Sequence, residues 1–306
     1  MKLLRHPDLP TIAKGCVATI GNFDGLHTAH QHIIRHIQKK ARTLDLPAVV
    51  ISFEPLPGEY FSRDSVARIY PLRDKVRYLS MLNIGYFACL RFDAEFAGQE
   101  AEDFIRDTLL ERLQVRHLVV GDDFRFGRAR RGDYGMLRTL GGQHGMEVSD
   151  TPTLLWEGER VSSTLIRGFL RRSELDKAAE LLGRPYQLSG RIRHGDKRGR
   201  TIGFPTLNMQ MPESLALQSG VYAVRVTGLG GQLLNGVANL GKRPTVAGTE
   251  MRLEVHVFDF DSDVYGQYVQ VEPITFIRPE QKFDSFEQLK AQILLDAEQA
   301  RAYLSA

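Results

Sequence analysis

The 306-residue chain is poor in cysteine and nearly balanced in charge. It contains two cysteines, and its 40 basic and 37 acidic side chains leave a formal net charge of only +3. Cys16 and Cys89 both lie in apolar runs, so we expect free core thiols, not a disulfide framework, and a cytoplasmic protein. So small a net charge does not by itself indicate a nucleic-acid partner, and we expect none.

Long hydrophobic segments are also lacking. No apolar run reaches the roughly eighteen residues of a membrane-spanning helix, and the first residues, MKLLRHPDLPTIAKG, lack the apolar region of a signal peptide. We therefore expect no membrane association. With 25% charged and 42% apolar residues, the composition is typical of a soluble folded protein, and the length predicts two domains.

The apolar pattern changes character along the chain. Strand-like runs first alternate with amphipathic segments; the strands are predicted at residues 16–20, 48–53, 86–92, 117–121 and 146–149, and the helices at 28–44, 72–82 and 100–113. Later runs read as strands at 186–194, 221–226, 233–240, 251–260 and 268–277, before one helix at 285–304. We predict a Rossmann-like parallel-sheet domain over residues 1–184 and a small closed antiparallel β-barrel with a terminal helix over 185–306.

Four histidines lie at or near the start of the first predicted helix. A helical projection places His27 and His30 at the edge of the buried stripe and His32 and His36 on the solvent face, which excludes one metal site built from all four. Because His27 and His30 follow a strand and a glycine turn, they lie at the carboxyl edge of the sheet, where a helix N-terminus favours phosphate. The spacing is equally typical of two half-buried structural histidines.

Two further stretches are suited to anions. In VSSTLIRGFL, hydroxyl side chains enter a helix with Arg167 one turn inside, which predicts a second phosphate site facing the first, although SST is also typical of an ordinary helix N-cap. GDKRGRTIGFPTLN is a glycine-rich basic loop. It does not have the spacing of a P-loop, so a P-loop NTPase is excluded.

Taken together, these motifs resemble a known family. GNFDGLHTAH resembles the signature of the histidine-motif nucleotidyltransferases, and it is followed in order by VVGDDFRFG, SSTLIR, LLGRPY, GRTIGFPTLN, GVYAV, LGKRPT, LEVHVFDFD, YGQYV and KFDSFEQLKAQI. The ordered set resembles the bacterial bifunctional riboflavin kinases/FMN adenylyltransferases. The resemblance implies that the C-terminal domain converts riboflavin and ATP to FMN, that the N-terminal domain transfers AMP from a second ATP to FMN to give FAD, and that Mg²⁺ assists both steps.

For the adenylyltransferase, the resemblance implies catalytic roles for His27 and His30. It implies nucleotide binding by the glycine turn and the hydroxyl cluster, namely Gly21, Asn22, Phe23, Asp24, Gly25, Ser162, Ser163, Thr164 and Arg167. It implies that the flavin nucleotide lies near Asp122, Phe124 and Arg125.

For the kinase, the resemblance implies that ATP is bound by the covering loop and the turn after it, namely Gly195, Lys197, Gly199, Gly203, Phe204 and Pro205. It implies magnesium at Thr206 and Asn208, Glu254 as the base, and riboflavin near Arg278 and Phe283. Strand alternation places Glu254 on the face opposite the apolar residues of RLEVHV, which by itself would predict a solvated glutamate.

The sequence departs from the family pattern at Ala29, Leu165 and Leu207, where glycine, arginine and alanine are usual. The first two positions lie in the adenylyltransferase half, so a riboflavin kinase with a weakened or degenerate adenylyltransferase stays open. So does a nucleotidyltransferase acting on another phosphate acceptor. An RNA-binding barrel using RIRHGDKRGR is a third alternative, although that loop offers only Phe204 for stacking. No oligomeric state is predicted.

Overall fold

The computed structural model describes residues 1–5, 9, 11–62, 66–121, 123–194, 203–245 and 248–305. The chain forms two compact units, one of Met1–Val66 with Lys75–Ser162 and the other of Ala67–Asp74 with Ser163–Ala306. The domain boundary that we predicted after Arg184 stays a prediction.

The first unit is built on a parallel sheet of six strands. They are β1 (Lys2–Arg5), β2 (Cys16–Ile20), β3 (Ala48–Glu54), β4 (Tyr86–Arg91), β5 (Val115–Val119) and β6 (Glu147–Ser149), in the spatial order β1-β4-β3-β2-β5-β6. Every residue of β2 is buried, as expected for a central strand covered on both faces. The chain order reverses between β2 and β5, and ligands bind at such reversals, beyond the carboxyl ends of the strands.

Helices connect these strands. They are α1 (Thr28–Leu44), α2 (Pro57–Phe61), α3 (Leu72–Met81), α4 (Ala94–Gly98), α5 (Ala101–Asp103) and α6 (Tyr134–Gln143). The helix predicted over residues 100–113 is present, but its larger part, Phe104–Arg112, is π-helical. A 3-10 turn at Arg128–Arg130 and a short hairpin of β7 (Leu155–Trp156) and β8 (Glu159–Arg160) were not predicted.

The second unit begins with helices α7 (Ser163–Arg171) and α8 (Leu175–Leu182) and continues as an antiparallel sheet. Its strands are β9 (Leu188–Arg191), β10 (Leu207–Met211), β11 (Gly220–Leu229), β12 (Gln232–Thr245), β13 (Gly248–Val257) and β14 (Tyr268–Arg278), in the order β10-β13-β12-β11-β14-β9. Just beyond β9, the Arg193 N–H donates to the Asn208 carbonyl at 2.8 Å, which brings the two edges together. With the terminal helix α9 (Phe286–Ser305), this confirms the predicted barrel and helix.

A short segment from early in the chain, residues 67–74, packs within the second unit. The rings of Tyr70 and Tyr186 stack with centroids 5.2 Å apart, and the Tyr186 hydroxyl donates to the Ile69 carbonyl at 2.9 Å. The buried Asp74 carboxylate accepts a hydrogen bond from the Ser189 backbone N–H at 3.3 Å and another from the Ser189 hydroxyl. Tyr186 belongs to the LLGRPY motif, whose structural role is thereby explained.

The two cysteines are free and buried, as the sequence predicted. The Cys16 thiol donates to the Leu113 carbonyl at 3.2 Å, and burial raises the pKa of Cys16 to about 12. The thiol is therefore protonated and unreactive at neutral pH. No helix in the part of the chain that the structure describes is long and apolar enough to cross a membrane.

Candidate active sites

The turn between β2 and α1 has an unusual backbone. Phe23 and Leu26 both have a φ of 45°, in the left-handed region that residues with side chains rarely adopt. Phe23, Asp24 and Leu26 are nearly inaccessible to solvent, and the Gln31 amide donates to the Leu26 carbonyl at 2.9 Å. Packing and hydrogen bonding thus stabilise a backbone conformation that is unfavourable for these residues in isolation.

His27 and His30 form a stacked pair at the end of this turn. His27 is the N-cap of α1, and its Nδ1 accepts from the His30 backbone N–H at 3.4 Å. The two imidazole centroids lie 3.6 Å apart with ring planes inclined by 18°. Because Nδ1 of His27 is an acceptor, a neutral His27 carries its proton on Nε2. A ring N–H donor of His27 therefore lies at a helix N-terminus, where negative charge is already favoured.

The other two helix histidines behave as the helical projection predicted. His32 and His36 are exposed on the far face of α1. Among the described residues, no group of three or more His, Cys, Asp or Glu side chains could hold a metal ion.

A large cavity of about 950 Å³ opens at the carboxyl ends of the strands in the first unit. Gly21 and Asn22 line it; they belong to the turn between β2 and α1, residues 21–27, which we call the histidine turn. Phe124 and Arg125 of the loop after β5 also line the cavity. The rings of Phe124 and Phe126 stack at 5.6 Å with planes inclined by 16°. Asp122, predicted to lie at the same place, falls outside the described residues.

Sequence reasoning missed most of the cavity wall. The wall also contains aromatic side chains that follow β3 and β4, namely Tyr60, Phe61, Phe92 and Phe96. Arg128 and Arg130 add positive charge to the lining. Gly127, which carries a φ of 71°, packs so closely that an added Cβ would lie 2.7 Å from the Ala101 Cα. Aromatic residues in the short segments that follow two parallel strands could have predicted this wall, since those strand ends share one edge of the sheet.

The hydroxyl cluster predicted to bind phosphate lies at a helix start. Helix α7 begins at Ser163, so Ser162, Ser163 and Thr164 occupy its N-terminus and Arg167 lies one turn inside. Ser162 ends the first unit, and the other three residues belong to the second. Their predicted orientation toward His27 and His30 stays a prediction.

A second cavity, of about 500 Å³, lies in the barrel unit. Thr206, Asn208 and Glu254 line it. Asn208 of β10 and Glu254 of β13 are direct cross-strand partners, so their side chains lie on the same face of the sheet. The Asn208 amide donates to the carbonyl and the hydroxyl of Thr206 at 3.1 and 3.3 Å. Three oxygen-bearing side chains thus share one wall.

The Glu254 carboxylate forms ion pairs with arginine side chains. Its carboxylate lies 3.0 Å from a guanidinium nitrogen of Arg243, whose other nitrogen lies 3.8 Å from Glu280, and Arg252 is 4.0 Å away. The Glu254 side chain is 25% exposed, so it faces the cavity and is not the solvated glutamate that alternation alone would predict. Sequence reasoning missed Arg243, although the LGKRPT motif contains it.

The turn before β10 is anchored by His256. Its Nδ1 lies 2.9 Å from the Pro205 carbonyl, and its ring centroid is 4.8 Å from that of Phe204. Pro205 directly precedes Thr206, so this contact fixes the backbone next to a cavity side chain. Gly203 begins the described part of the loop; Gly195, Lys197 and Gly199 lie outside the described residues.

Arg278 and Phe283 also line the barrel cavity. Arg278 forms a two-pronged ion pair with the buried Asp296 of α9, with N–O distances of 2.8 and 2.7 Å. Its guanidinium carbon lies 5.8 Å from the centre of the Phe283 ring. The Arg278–Asp296 ion pair therefore stabilises the position of helix α9 beside the cavity.

Comparison with known proteins finds a matching protein family for each of the two halves of the chain. The FAD synthetase family model matches residues 9–165 and the riboflavin kinase model matches residues 182–304. The bifunctional riboflavin kinase/FMN adenylyltransferase of Escherichia coli (strain K12) is 46% identical over 99% of this chain and 98% of its own, and that of Haemophilus influenzae is 45% identical over 96% of each. A crystal structure of a macrolide-efflux protein from Streptococcus pneumoniae superposes with a TM-score of 0.78 at 31% identity, covering 98% of this chain and 99% of that one.

The fold and the two cavities define a transferase of two catalytic units, one a parallel α/β unit and the other an antiparallel barrel. With both family models matched and relatives of this similarity over nearly the full length, the chain belongs to the bifunctional riboflavin kinase/FMN adenylyltransferase family. The family and the two enzyme activities predicted from the motifs are thereby confirmed.

Proposed function

We propose that the first unit transfers AMP from ATP to FMN at the histidine turn, and that the barrel unit phosphorylates riboflavin at Glu254. The observation that carries the first assignment is the aromatic cavity of about 950 Å³, which contains residues of the histidine turn in its wall. A planar, apolar isoalloxazine ring suits such a wall, because aromatic rings stack on one another.

In the adenylyl transfer, a phosphate oxygen of FMN attacks the α-phosphorus of ATP, and the bond to pyrophosphate breaks. The reaction needs alignment and charge neutralisation rather than a base, since the nucleophile is already an anion. His27 and His30 donate ring N–H groups to the α-phosphate, where charge builds up. Arg125 and its neighbours in the cavity bind the FMN phosphate. On the family resemblance, we assign nucleotide binding to the hydroxyl cluster and its arginine, Ser162, Ser163, Thr164 and Arg167.

In the kinase reaction, the 5′-hydroxyl of riboflavin attacks the γ-phosphorus of ATP, and ADP leaves. Glu254 accepts the hydroxyl proton, and Arg243 orients the Glu254 carboxylate through their 3.0 Å contact. Arg278 and Phe283, which line the same cavity, contact the flavin ring of riboflavin. The covering loop, including Phe204 and Pro205, binds ATP.

Magnesium fits the residues of the barrel cavity. The hydroxyl of Thr206, the amide oxygen of Asn208 and the carboxylate of Glu254 share one wall, and oxygen atoms are the ligands that Mg²⁺ prefers. Thr206 and Asn208 would hold the ion. When bound, it would neutralise charge on the ATP phosphates.

The alternative of a kinase with a degenerate adenylyltransferase rests on Ala29 and Leu165. Helix α1 begins at Thr28 and runs unbroken through Ala29, so the alanine does not disturb the helix start. Leu165 likewise lies within helix α7. We therefore favour two working sites, in an enzyme of the cytoplasm that needs neither nucleic acid nor membrane.

One assay tests this proposal. The purified chain is supplied with riboflavin, ATP and magnesium, and products are separated by chromatography. We expect FMN to appear first and FAD to follow. Accumulation of FMN without FAD would identify the kinase-only alternative.

A further inference from the structure

A lysine lies beneath the histidine turn, and the sequence motifs do not include it. Lys75 on α3 is only 2% exposed, which is unusual because burying an ammonium group is unfavourable unless neighbouring groups compensate its charge. Its Nζ donates to the Asn22 carbonyl at 2.8 Å and to the Ser52 hydroxyl at 3.3 Å. The Ser52 hydroxyl in turn donates to the same Asn22 carbonyl at 3.0 Å. One backbone oxygen thus receives two side-chain donors.

That carbonyl controls the shape of the turn. The Asn22 carbonyl and the Phe23 N–H belong to one planar peptide group, so fixing the oxygen fixes the ψ angle of Asn22 and the φ angle of Phe23. Phe23 is one of the two turn residues with a φ of 45°. Such a conformation is unfavourable for a residue with a side chain and persists only where surrounding contacts enforce it. The hydrogen bonds to the Asn22 oxygen contribute to this enforcement, together with the burial of Phe23.

The turn ends at the histidine pair. Four residues after Phe23, His27 begins α1 as its N-cap, and its ring stacks on that of His30. A change in the Asn22–Phe23 peptide plane therefore alters the direction in which α1 and its first histidine leave the sheet. Displacements of about 1 Å at a reacting centre lower rates by about 10²-fold.

We propose that Lys75 is a positioning residue of the adenylyl transfer, acting through the Asn22 carbonyl to aim the His27–His30 pair. The proposal rests on the assignment of adenylyl transfer to that pair. It predicts a larger effect on the chemical step than on FMN affinity, because Tyr60, Phe61, Phe92 and Phe96 of the cavity wall come from other segments.

The test compares Lys75→Met, which keeps length and removes the charge and the donors, with Lys75→Arg, which keeps both. Lys39→Met is the matched control, since Lys39 is exposed on α1. For FMN adenylylation, we expect Lys75→Met to lower kcat by about 10²-fold and to change the KM for FMN by less than about threefold, and Lys75→Arg to recover at least about tenfold. The Lys39 variant and the riboflavin kinase rate should stay within about twofold of wild type.

Other results would overturn the proposal. A folded Lys75→Met variant whose kcat stays within about threefold of wild type, or whose loss appears mainly in KM, excludes a positioning role. Should Lys75→Met fail to fold, Ser52→Ala removes the second donor to the same oxygen; a kcat lowered by about threefold to tenfold at unchanged KM supports the proposal, and an unchanged kcat refutes it. A wild-type enzyme that does not adenylylate FMN at all would instead remove the functional assignment on which the proposal rests.

Discussion

The imidazole rings of His27 and His30 lie almost parallel, with centroids 3.6 Å apart. One ring caps helix α1 and the other lies on its first turn, so the turn that orients one also orients the other. The two side chains therefore form one structural unit at the carboxyl edge of the sheet. Mutating one histidine at a time tests the contribution of each.

Replacing His30 by alanine should lower FAD formation from FMN. The change removes the stacking partner of His27 and, on the proposed mechanism, a donor to the α-phosphate; the loss of one such preorganised donor typically costs about 10²–10³-fold in kcat. The measurement is the initial rate of FAD formation from FMN and ATP. His32→Ala and His36→Ala are the controls because both side chains are exposed on α1. A comparable loss in either control, in folded protein, would contradict the assignment of faces.

Replacing Phe124 by leucine should weaken FMN binding to the first unit. The ring lines the aromatic cavity and stacks on Phe126, and an aromatic contact contributes about 0.5–1.5 kcal/mol beyond its buried area. We expect the KM for FMN in adenylylation to rise by about tenfold with kcat nearly unchanged. Tyr303→Leu on α9, whose ring is 47% exposed, is the matched control. An unchanged KM for Phe124→Leu would place the flavin elsewhere.

Replacing His256 should affect only the kinase reaction. Asparagine places an N–H donor at nearly the position of Nδ1 and can keep the hydrogen bond to the Pro205 carbonyl, whereas leucine cannot. We expect His256→Leu to lower the riboflavin kinase rate by about tenfold or more, and His256→Asn to stay within about threefold. Rates from riboflavin and ATP measure this. Equal losses in both variants would mean that ring packing against Phe204, and not the hydrogen bond, is what matters.

Acid should destabilise the first unit through His117. This buried side chain lies 2.9 Å from Glu147 and 2.9 Å from Ser149, and burial, opposed by the Glu147 contact, holds the pKa of His117 below its ordinary 6.5. The unfolded chain therefore binds more protons just below pH 6.5, so this stabilisation is present above that pH and is lost as the pH falls.

The check is the thermal unfolding midpoint between about pH 5 and pH 7. We expect the midpoint of the wild type to rise with pH over this range and that of His117→Gln to rise less. His144→Gln, at an exposed position, serves as the control. A His117→Gln variant with the wild-type slope would show that His117 is not the group responsible.

The local sequence pattern was sufficient to predict the strand and the helix that flank the histidine motif. Strand Cys16–Ile20 and helix Thr28–Leu44 have the predicted bounds because a buried β-branched run and a 3.6-residue period are strong signals. Strand Leu207–Met211 was missed since it directly follows a loop rich in glycine and arginine. Lys75 reads as a solvated residue of an amphipathic helix, and only tertiary packing reveals its burial.

The candidate sites divide in the same way. The histidine pair and Glu254 could be named from motifs, because those residues stand in short, ordered stretches of sequence. The aromatic cavity wall joins segments far apart in the chain, and no local period encodes such a meeting. Arg243 and Glu254 are only 11 residues apart, on adjacent strands β12 and β13, but their contact depends on the pairing register of the two strands, which the local pattern does not specify.

The central claim is that the two reactions occur at two chemically distinct sites, one at the His27–His30 pair and the other at Glu254, and Glu254→Gln tests it most directly. Glutamine keeps the size of the side chain but cannot accept the riboflavin proton, so phosphorylation should fall by about 10²–10⁴-fold. Adenylylation of supplied FMN should barely change, because its nucleophile needs no base. His30→Ala should show the reverse, with FMN accumulating from riboflavin, and Glu213→Gln, at an exposed position, should change neither reaction. The measurement is the ratio of FMN to FAD formed from riboflavin and, separately, from FMN. If a Glu254→Gln enzyme with a wild-type circular dichroism melt loses both activities equally, the account of two separate sites is contradicted.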